Sequence, residues 1–355
     1  MRHLELFAGI GGFRTAMNYI QKDLGVINNV IGYSEIDKNA STTYTANYDT
    51  DGELVLGDIV SFINDTQRFG NLPHFDILSG GFPCQSFSVM GKQAGFEEER
   101  GQMFFRIMDV VHSIQPNFIL LENVKNLMNH DNKRTYKKIK EELENEGYIV
   151  HEDIFNTMDF GLPQKRNRMI VFARKRRFGD FEFSFDAVKR HFDQLDHEHC
   201  SIHLYKSTLD ILQHEVDNKY YLSDRIKPTI LSNGSGNFVS NSDIDQLIAR
   251  PLTASMHKMH RACQDNYFSD IFIYSHGQER PSENMTKEEL ANIAIRKLTP
   301  KEAFMLQGFP ETFALKAQKA GVSDGALYKQ AGNAVSVNTI YAIMHYLISN
   351  NIIFE

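Results

Sequence analysis

Residues 4–12 read LELFAGIGG. Leu4 to Phe7 has the apolar pattern of a strand, and it opens into a turn whose glycines leave the backbone open to a ligand. Past the turn, Phe13, Ala16, Met17 and Ile20 recur at helical spacing. Strand, glycine turn and helix form the opening unit of an α/β fold, in which a ligand meets the backbone at a helix amino end. The turn is not GxGxxG, which argues against a nicotinamide dehydrogenase.

The alternation continues. Val30 to Ser34 predicts a second strand ending at Glu35, and Glu53 to Leu56 a third before Asp58. Phe75 to Leu78 predicts a fourth, and Phe118 to Leu121 a fifth that closes on Glu122-Asn123-Val124. Tyr136, Ile139 and Leu143 mark a helix, and Arg168 to Ala173 one more strand. Strands separated by helices imply a parallel sheet wound on both faces. From about Phe178 the pattern breaks into short mixed segments and the polar stretch LSNGSGNFVSNSD, residues 231–243, which predicts a smaller, irregular domain. Thr299-Pro300-Lys301-Glu302 reads as a capping box with proline at the first helical position. A last helix carries Val337, Ile340, Tyr341, Met344 and Ile348 on one face. The expected division is a catalytic domain of residues 1–177 plus 328–355, with a small domain at 178–327.

The 355 residues carry a formal charge of −7, which argues against a protein coated in positive charge but leaves room for a concentrated patch. Lys165, Arg166, Arg168, Arg174, Lys175, Arg176 and Arg177 stand close together without an acid among them, and Lys258 and Arg261 fall in a second cluster. Such patches meet nucleic-acid phosphates, although for Arg174 to Arg177 a solvated face is an equal reading. No stretch approaches a membrane span, and the strand pattern begins at His3, so neither a membrane nor a signal peptide is expected. Cys84, Cys200 and Cys263 make no disulfide framework, which fits a reducing cytoplasm. His197, His199, Cys200 and His203 lack a matching second ligand pair, and no metal site is expected.

Glu35, at a strand end, stands where such folds hold a ribose diol, and Asp58 could receive an adenine amino group or cap a helix. GGFPCQSFS, residues 80–88, puts Cys84 in a loop at a strand's carboxyl end, the position of a nucleophile. Glu122 ends the neighbouring strand. A thiolate beside a carboxyl that can stay protonated suits attack on an electron-poor ring. QKRNR, residues 164–168, adds two arginines.

FAGIGG, GGFPCQSFS, ENV, QKRNR, RPLTAS (residues 250–255), RKLTPKEAFMLQGFP and QAGNAVSV (residues 330–337) occur in one order along the chain. In that set the sequence resembles the DNA (cytosine-5) methyltransferases of bacterial and phage restriction-modification systems. The resemblance spans nearly everything outside residues 178–248, which by position would hold the target-recognition region. It implies a Rossmann-like S-adenosylmethionine-dependent methyltransferase sheet, with S-adenosylmethionine as methyl donor. Phe7, Ala8, Gly9, Gly11, Gly12, Glu35, Ile36, Asp58, Ile59, Pro83 and Asn333 would bind that donor. Ile36 departs from the family, where an aromatic residue is frequent. Cys84 would attack cytosine carbon 6, Glu122 would donate to ring nitrogen 3, and Arg166 and Arg168 would orient Glu122 and the flipped base or its backbone, with a phosphate or structural contact an equal reading for Arg166. Gln85, Ser88, Lys92, Lys165, Lys258 and Arg261 would contact double-stranded DNA, with the loop around Lys92 closing over it. The target base must be flipped out of the duplex to expose its ring. A monomer paired functionally with a restriction endonuclease is the expected setting. An RNA cytosine methyltransferase on the same scaffold is the nearest rival, although the Cys-Phe-Thr motif of that lineage is absent. An inactive DNA-binding module is the rival from another class, opposed by the intact Cys84, Glu122 and Arg168.

Overall fold

The computed structural model describes residues 1–82, 103–235 and 238–354. The chain divides into two compact units. Unit 1 comprises Met1–Phe160, Asn167–Ile202 and Val335–Glu355, and unit 2 comprises Gly161–Arg166 and His203–Ala334.

Among the described residues, unit 1 is built on a seven-stranded sheet. Its strands are β1 (Arg2–Leu6), β2 (Asn29–Tyr33), β3 (Leu54–Val55), β4 (Ile77–Gly81), β5 (Phe118–Val124), β6 (Tyr148–Asn156) and β7 (Asn167–Lys175), in the order β3-β2-β1-β4-β5-β7-β6. The helices α1 (Gly12–Leu24), α2 (Lys38–Asn47), α3 (Ile59–Asn64), α4 (Thr66–Gly70), α5 (Met103–Ile114) and α6 (Arg134–Asn145) fall between the strands. Alternation along the strands decides which side chains meet which layer. Leu4, Leu6, Leu78, Ile119 and Leu121 pack with Ile59 and Phe62 of α3, Ile107 and Val111 of α5, and Ile139 and Leu143 of α6. The other face presents His3, Ile77, Ser79 and Leu120 to Phe13 and Met17 of α1 and to Ile340 and Met344 of the final helix. That helix, Val337–Ser349, is buried at every residue from Val337 to Leu347.

The order reverses between β1 and β4, since β2 and β3 lie to one side and β5 to the other. At such a switch point the loops leaving neighbouring strands diverge and open a crevice at the carboxyl edge. The loop after β1 and the carboxyl end of β4 therefore flank the place where a ligand fits.

Two features of this sheet depart from the sequence reading. β7 runs antiparallel to both β5 and β6, so the sheet is not parallel throughout. β6 itself, YIVHEDIFN, was not expected, because Glu152 and Asp153 interrupt its alternation. At the sheet's edge both acids find partners: Lys140 Nζ lies 3.1 Å from Glu152, and Asp153 accepts from the Phe185 amide at 2.7 Å.

The division at residue 178 also moves. Residues 178–202 belong to unit 1, because α7 (Phe185–Asp193) buries Ala187, Val188 and Phe192 there. Phe192 meets Phe160 edge-on at 5.4 Å, and the imidazoles of His191 and His345 are hydrogen-bonded at 2.8 Å. Residues 328–334, by contrast, lie in unit 2.

Unit 2 has its own small core, formed by Leu222, Ile230, Leu231, Ile244, Ala262, Tyr267, Leu290 and Ile295. The capping box read at Thr299 is present: Thr299 Oγ1 accepts from the Glu302 amide, and Glu302 accepts from the Thr299 amide. Glu302 also accepts both terminal nitrogens of Arg296, at 2.8 and 2.9 Å, and both side chains are fully buried. Gly161–Arg166 joins this unit through a bridge between Gln164 and Ala249.

Candidate functional site

Loop 7–12 leaves β1 in an unusual conformation. Phe7, Gly9 and Gly11 have φ of 52°, 57° and 80°, all in the left-handed region that glycine tolerates and phenylalanine rarely adopts. The Gly9 amide donates to Glu35 Oε2 at 2.8 Å, and the Asp37 amide donates to Glu35 Oε1 at 2.7 Å. Ala8 ties the loop to β2 through its amide and the Ser34 carbonyl. Burial raises the Glu35 pKa, and the two amide hydrogen bonds oppose that rise. Each carboxylate oxygen keeps a further lone pair, so a ribose diol can still be received. Beside it, Ile36 is 74% exposed, an apolar surface open to a ligand. Phe7 is half-buried against the sheet core, and Ala8 is buried. A Cβ at Gly12 would stand 2.4 Å from Val335 Cγ2, so that position requires glycine for close packing.

Asp58 caps α3. It accepts from the Val60 and Ser61 amides and from Ser61 Oγ at 2.7 Å, and the serine hydroxyl above all holds its pKa below the usual range. Ile59 buries its side chain in the core, which leaves its backbone as the part able to meet a ligand.

Glu122 and Arg168 come together. Glu122 lies opposite Ile170, and Arg168 opposite Val124, so the two are diagonal neighbours on one face of an antiparallel pair. Arg168 Nε stands 2.8 Å from Glu122 Oε1, with the two side chains 19% and 11% exposed. Gly81 pairs with Glu122 across β4 and β5, and a Cβ there would lie 3.5 Å from Glu122 Oε2. Asn123 Nδ2 donates to the Phe82 carbonyl at 3.3 Å, fixing the end of β4 beside the acid. Pro83, Cys84, Gln85, Ser88 and Lys92 lie outside the described residues.

The other arginine of QKRNR serves elsewhere. Arg166 is 1% exposed, and its guanidinium donates to the carbonyls of Leu252, Gly332 and Ala334 at 2.9, 3.0 and 2.9 Å. It thus joins RPLTAS to QAGNAVSV within unit 2, the structural contact that was one of its two sequence readings. Gln164 makes a similar link, accepting from the Leu252 amide and donating to the Leu306 carbonyl. Asn333, at the end of the helix Asp324–Asn333, is exposed in unit 2, as are Lys165 and Lys258, while Arg261 is half-buried there.

The basic run 174–177 is neither a solvated face nor a phosphate patch in its first half. Arg174 and Lys175 are buried. Arg174 donates to the carbonyls of Ile352, Phe178, Gly179 and Asp180, and Lys175 to the Glu146 carbonyl at 2.7 Å. Because β7 is antiparallel, its carboxyl end meets Phe118 and Tyr148, at the edge of the sheet away from Glu122. Among the described residues no three His, Cys, Asp or Glu side chains gather as metal ligands. His199 instead bonds Asp196 at 2.8 Å, and Cys200 the Asp196 carbonyl. No helix among the described residues is long and apolar enough to cross a membrane.

Sequence reading overlooked a group behind the glycine loop. Arg14 donates to Glu53 at 2.7 and 2.9 Å, to the Asp49 carbonyl at 2.6 Å and to Tyr44 Oη at 3.0 Å. Tyr44 in turn donates to Glu5 Oε2 at 3.1 Å. Tyr48 Oη lies 2.6 Å from the Gly11 carbonyl. The four-residue step from Tyr44 to Tyr48 was the available signal, since it puts both rings on one side of α2.

A reversal-ordered sheet with an antiparallel seventh strand inserted between β5 and β6, a glycine loop after β1 and an acid near the end of β5, defines a Rossmann-like S-adenosylmethionine-dependent methyltransferase fold. The chain belongs to the C-5 cytosine-specific DNA methylase family, whose model matches residues 1–349. It is 35% identical over 356 residues to the type II methyltransferase M1.ScrFI of Lactococcus lactis subsp. cremoris, covering 97% of this chain and 77% of that one. It is 36% identical over 350 residues to the type II methyltransferase M.HpaII of Haemophilus parainfluenzae, covering 96% and 87%. The crystal structure of the S. pombe Dnmt2 methyltransferase superposes with a TM-score of 0.73 over 99% of each chain at 22% identity, a likeness of fold. The chain is a DNA (cytosine-5) methyltransferase.

Proposed function

We propose that this enzyme methylates carbon 5 of a cytosine within a specific duplex site, using Cys84 as nucleophile and Glu122, held by Arg168, as the acid partner. The observation that carries the reading is the 2.8 Å ion pair of Glu122 and Arg168 beside the end of the strand that leads to Cys84. S-adenosylmethionine supplies an electrophilic methyl group, and Phe7, Gly9, Glu35, Ile36 and Asp58 fit its adenosine: an exposed apolar wall, and two carboxylates with spare lone pairs.

Carbon 5 of cytosine is a weak nucleophile while the ring keeps its conjugation. The Cys84 thiolate adds to carbon 6, and a proton passes to ring nitrogen 3 as the electrons shift. Glu122 is the group proposed to give that proton, and Arg168, 2.8 Å away, holds its carboxyl in place. Carbon 5 then takes the methyl group. Loss of the carbon 5 proton to a base expels Cys84 and restores the aromatic ring. A cytosine inside the stack cannot be attacked this way, so the base is flipped out. Residues 203–248 of unit 2 are the proposed reader of the site, and Gln85, Ser88, Lys92, Lys165, Lys258 and Arg261 the proposed DNA contacts. The type II names of the relatives support pairing with a restriction endonuclease.

Duplex DNA carrying 5-fluorocytosine at the target tests the mechanism. Fluorine cannot leave as a proton, so the enzyme should stay joined to DNA through denaturation, dependent on both S-adenosylmethionine and Cys84. Efficient methylation of ordinary cytosine without such a complex would reject it, as would substantial turnover by Cys84→Ser.

A further inference from the structure

Loop 7–12 is held on two sides by different chemistry. Its amide side is bound by Glu35. Its carbonyl side meets Tyr48, the residue that ends α2. The phenol oxygen lies 2.6 Å from the Gly11 carbonyl, 3.2 Å from the Ile10 carbonyl and 2.6 Å from Thr15 Oγ1. Its ring fills the space that a Cβ on Gly11 would need, with Cε2 only 2.5 Å away. The ring is itself fixed. The Arg14 guanidinium sits 4.8 Å from its centroid, Tyr44 packs on it at 4.8 Å, and Arg14 is anchored by Glu53. Burial pushes the Tyr48 pKa well up, so the hydroxyl keeps its proton and remains a donor.

A loop with three left-handed residues, one of them phenylalanine, does not keep its shape by local preference. Something outside it must hold the shape, and Glu35 accounts for the amide side alone. We propose that Tyr48 is a positioning residue for the methyl donor, its hydroxyl clamping the Ile10 and Gly11 carbonyls so that loop 7–12 is formed before S-adenosylmethionine arrives. The proposal rests on the reading of loop 7–12 as the donor-binding loop. Tyr48 acts through the loop, and the chemical step does not require it.

Tyr48→Phe removes the hydroxyl and keeps the ring. Without the clamp the binding-competent loop is populated only part of the time, and the apparent affinity falls by that fraction. Losing one neutral hydrogen bond to the loop predicts a rise of about three- to tenfold in the Kd and KM for S-adenosylmethionine. At saturating donor, kcat and the KM for DNA should stay within about twofold, since chemistry and DNA contacts are untouched. Thr15→Val should raise the donor KM less, and adding it to Tyr48→Phe should bring no further rise, because the two share one hydrogen-bond unit. Equilibrium dialysis with labelled donor and steady-state kinetics read these values. A lower thermal midpoint with donor affinity unchanged would make Tyr48 merely structural and overturn the clamp. Glu35→Ala separates the two levels. If it abolishes donor binding while Tyr48→Phe has no effect, the clamp alone is wrong; if it also leaves binding unchanged, the reading of the loop is wrong.

Discussion

Replacing Glu5 by glutamine should change how stability depends on pH, with a sign that the structure fixes. Glu5 is fully buried in β1, two residues before the glycine loop. Tyr44 donates to Oε2, whereas Oε1 has no hydrogen-bond partner among the described residues. Burial raises its pKa from 4.5 to about 8, against the pull of Tyr44 and Arg14. In the folded protein the carboxyl therefore holds its proton through neutrality, while in the unfolded chain it loses it near pH 4.5. The stability this group contributes is complete below pH 4.5 and is lost as pH rises to about 8. The loss is about 1.4 kcal/mol per pH unit, on the order of 5 kcal/mol over the window. His3, two residues earlier, works in the opposite direction, because burial lowers its pKa to about 4. Its contribution grows as pH rises from about 4 to 6.5, so the raw stability curve is flattened there. The difference between Glu5→Gln and the parent removes that overlap. Urea unfolding at half-unit steps from pH 5 to 9 should show the variant gaining steadily on the parent until about pH 8, then holding level. Parallel curves across that range would refute the buried, protonated state.

Arg168→Met should leave donor affinity intact but lower kcat by about 10²–10³-fold, since the group orienting Glu122 is gone; single-turnover methyl transfer measures it, and a loss under threefold would contradict the pairing. Glu302→Ala should destabilise unit 2 by about 3–5 kcal/mol in urea unfolding, because it strands the fully buried Arg296. A loss below about 1 kcal/mol would mean that the arginine finds water or another partner. Gly332→Ala would put a Cβ 2.1 Å from the Thr253 carbonyl carbon, so RPLTAS must yield. A cost of about 1–3 kcal/mol is expected, with faster proteolysis within unit 2, and unchanged digestion would argue against the close approach.

What could be read from the sequence was local. The strand, turn and helix at Leu4 to Ile20 and the capping box at Thr299 each announce themselves within a few residues, and so does the fifth strand, although it runs on through Glu122 to Val124. Glu35 was placed correctly at a strand end, but its hold on the Gly9 amide was not visible, because that bond crosses between strands. The cations were misread for a similar reason. Arg174 and Lys175 look like a surface patch when only their charge is counted, yet they spend their donors on carbonyls up to 178 residues away in sequence. β6 was hidden because an edge strand needs only partial burial and can carry Glu152 and Asp153. The six-residue excursion Gly161–Arg166 into unit 2 carries no compositional mark at all.

The place of the helix Val337–Ser349 has a consequence for how the enzyme is made. It buries against α1 and the first strands, yet the ribosome delivers it after β1 to β7 and after all of unit 2. Until then a nascent chain shows Phe13, Met17 and Leu120 without their cover. A product cut short anywhere before Val337 would keep that apolar face open, an invitation to chaperones and proteases.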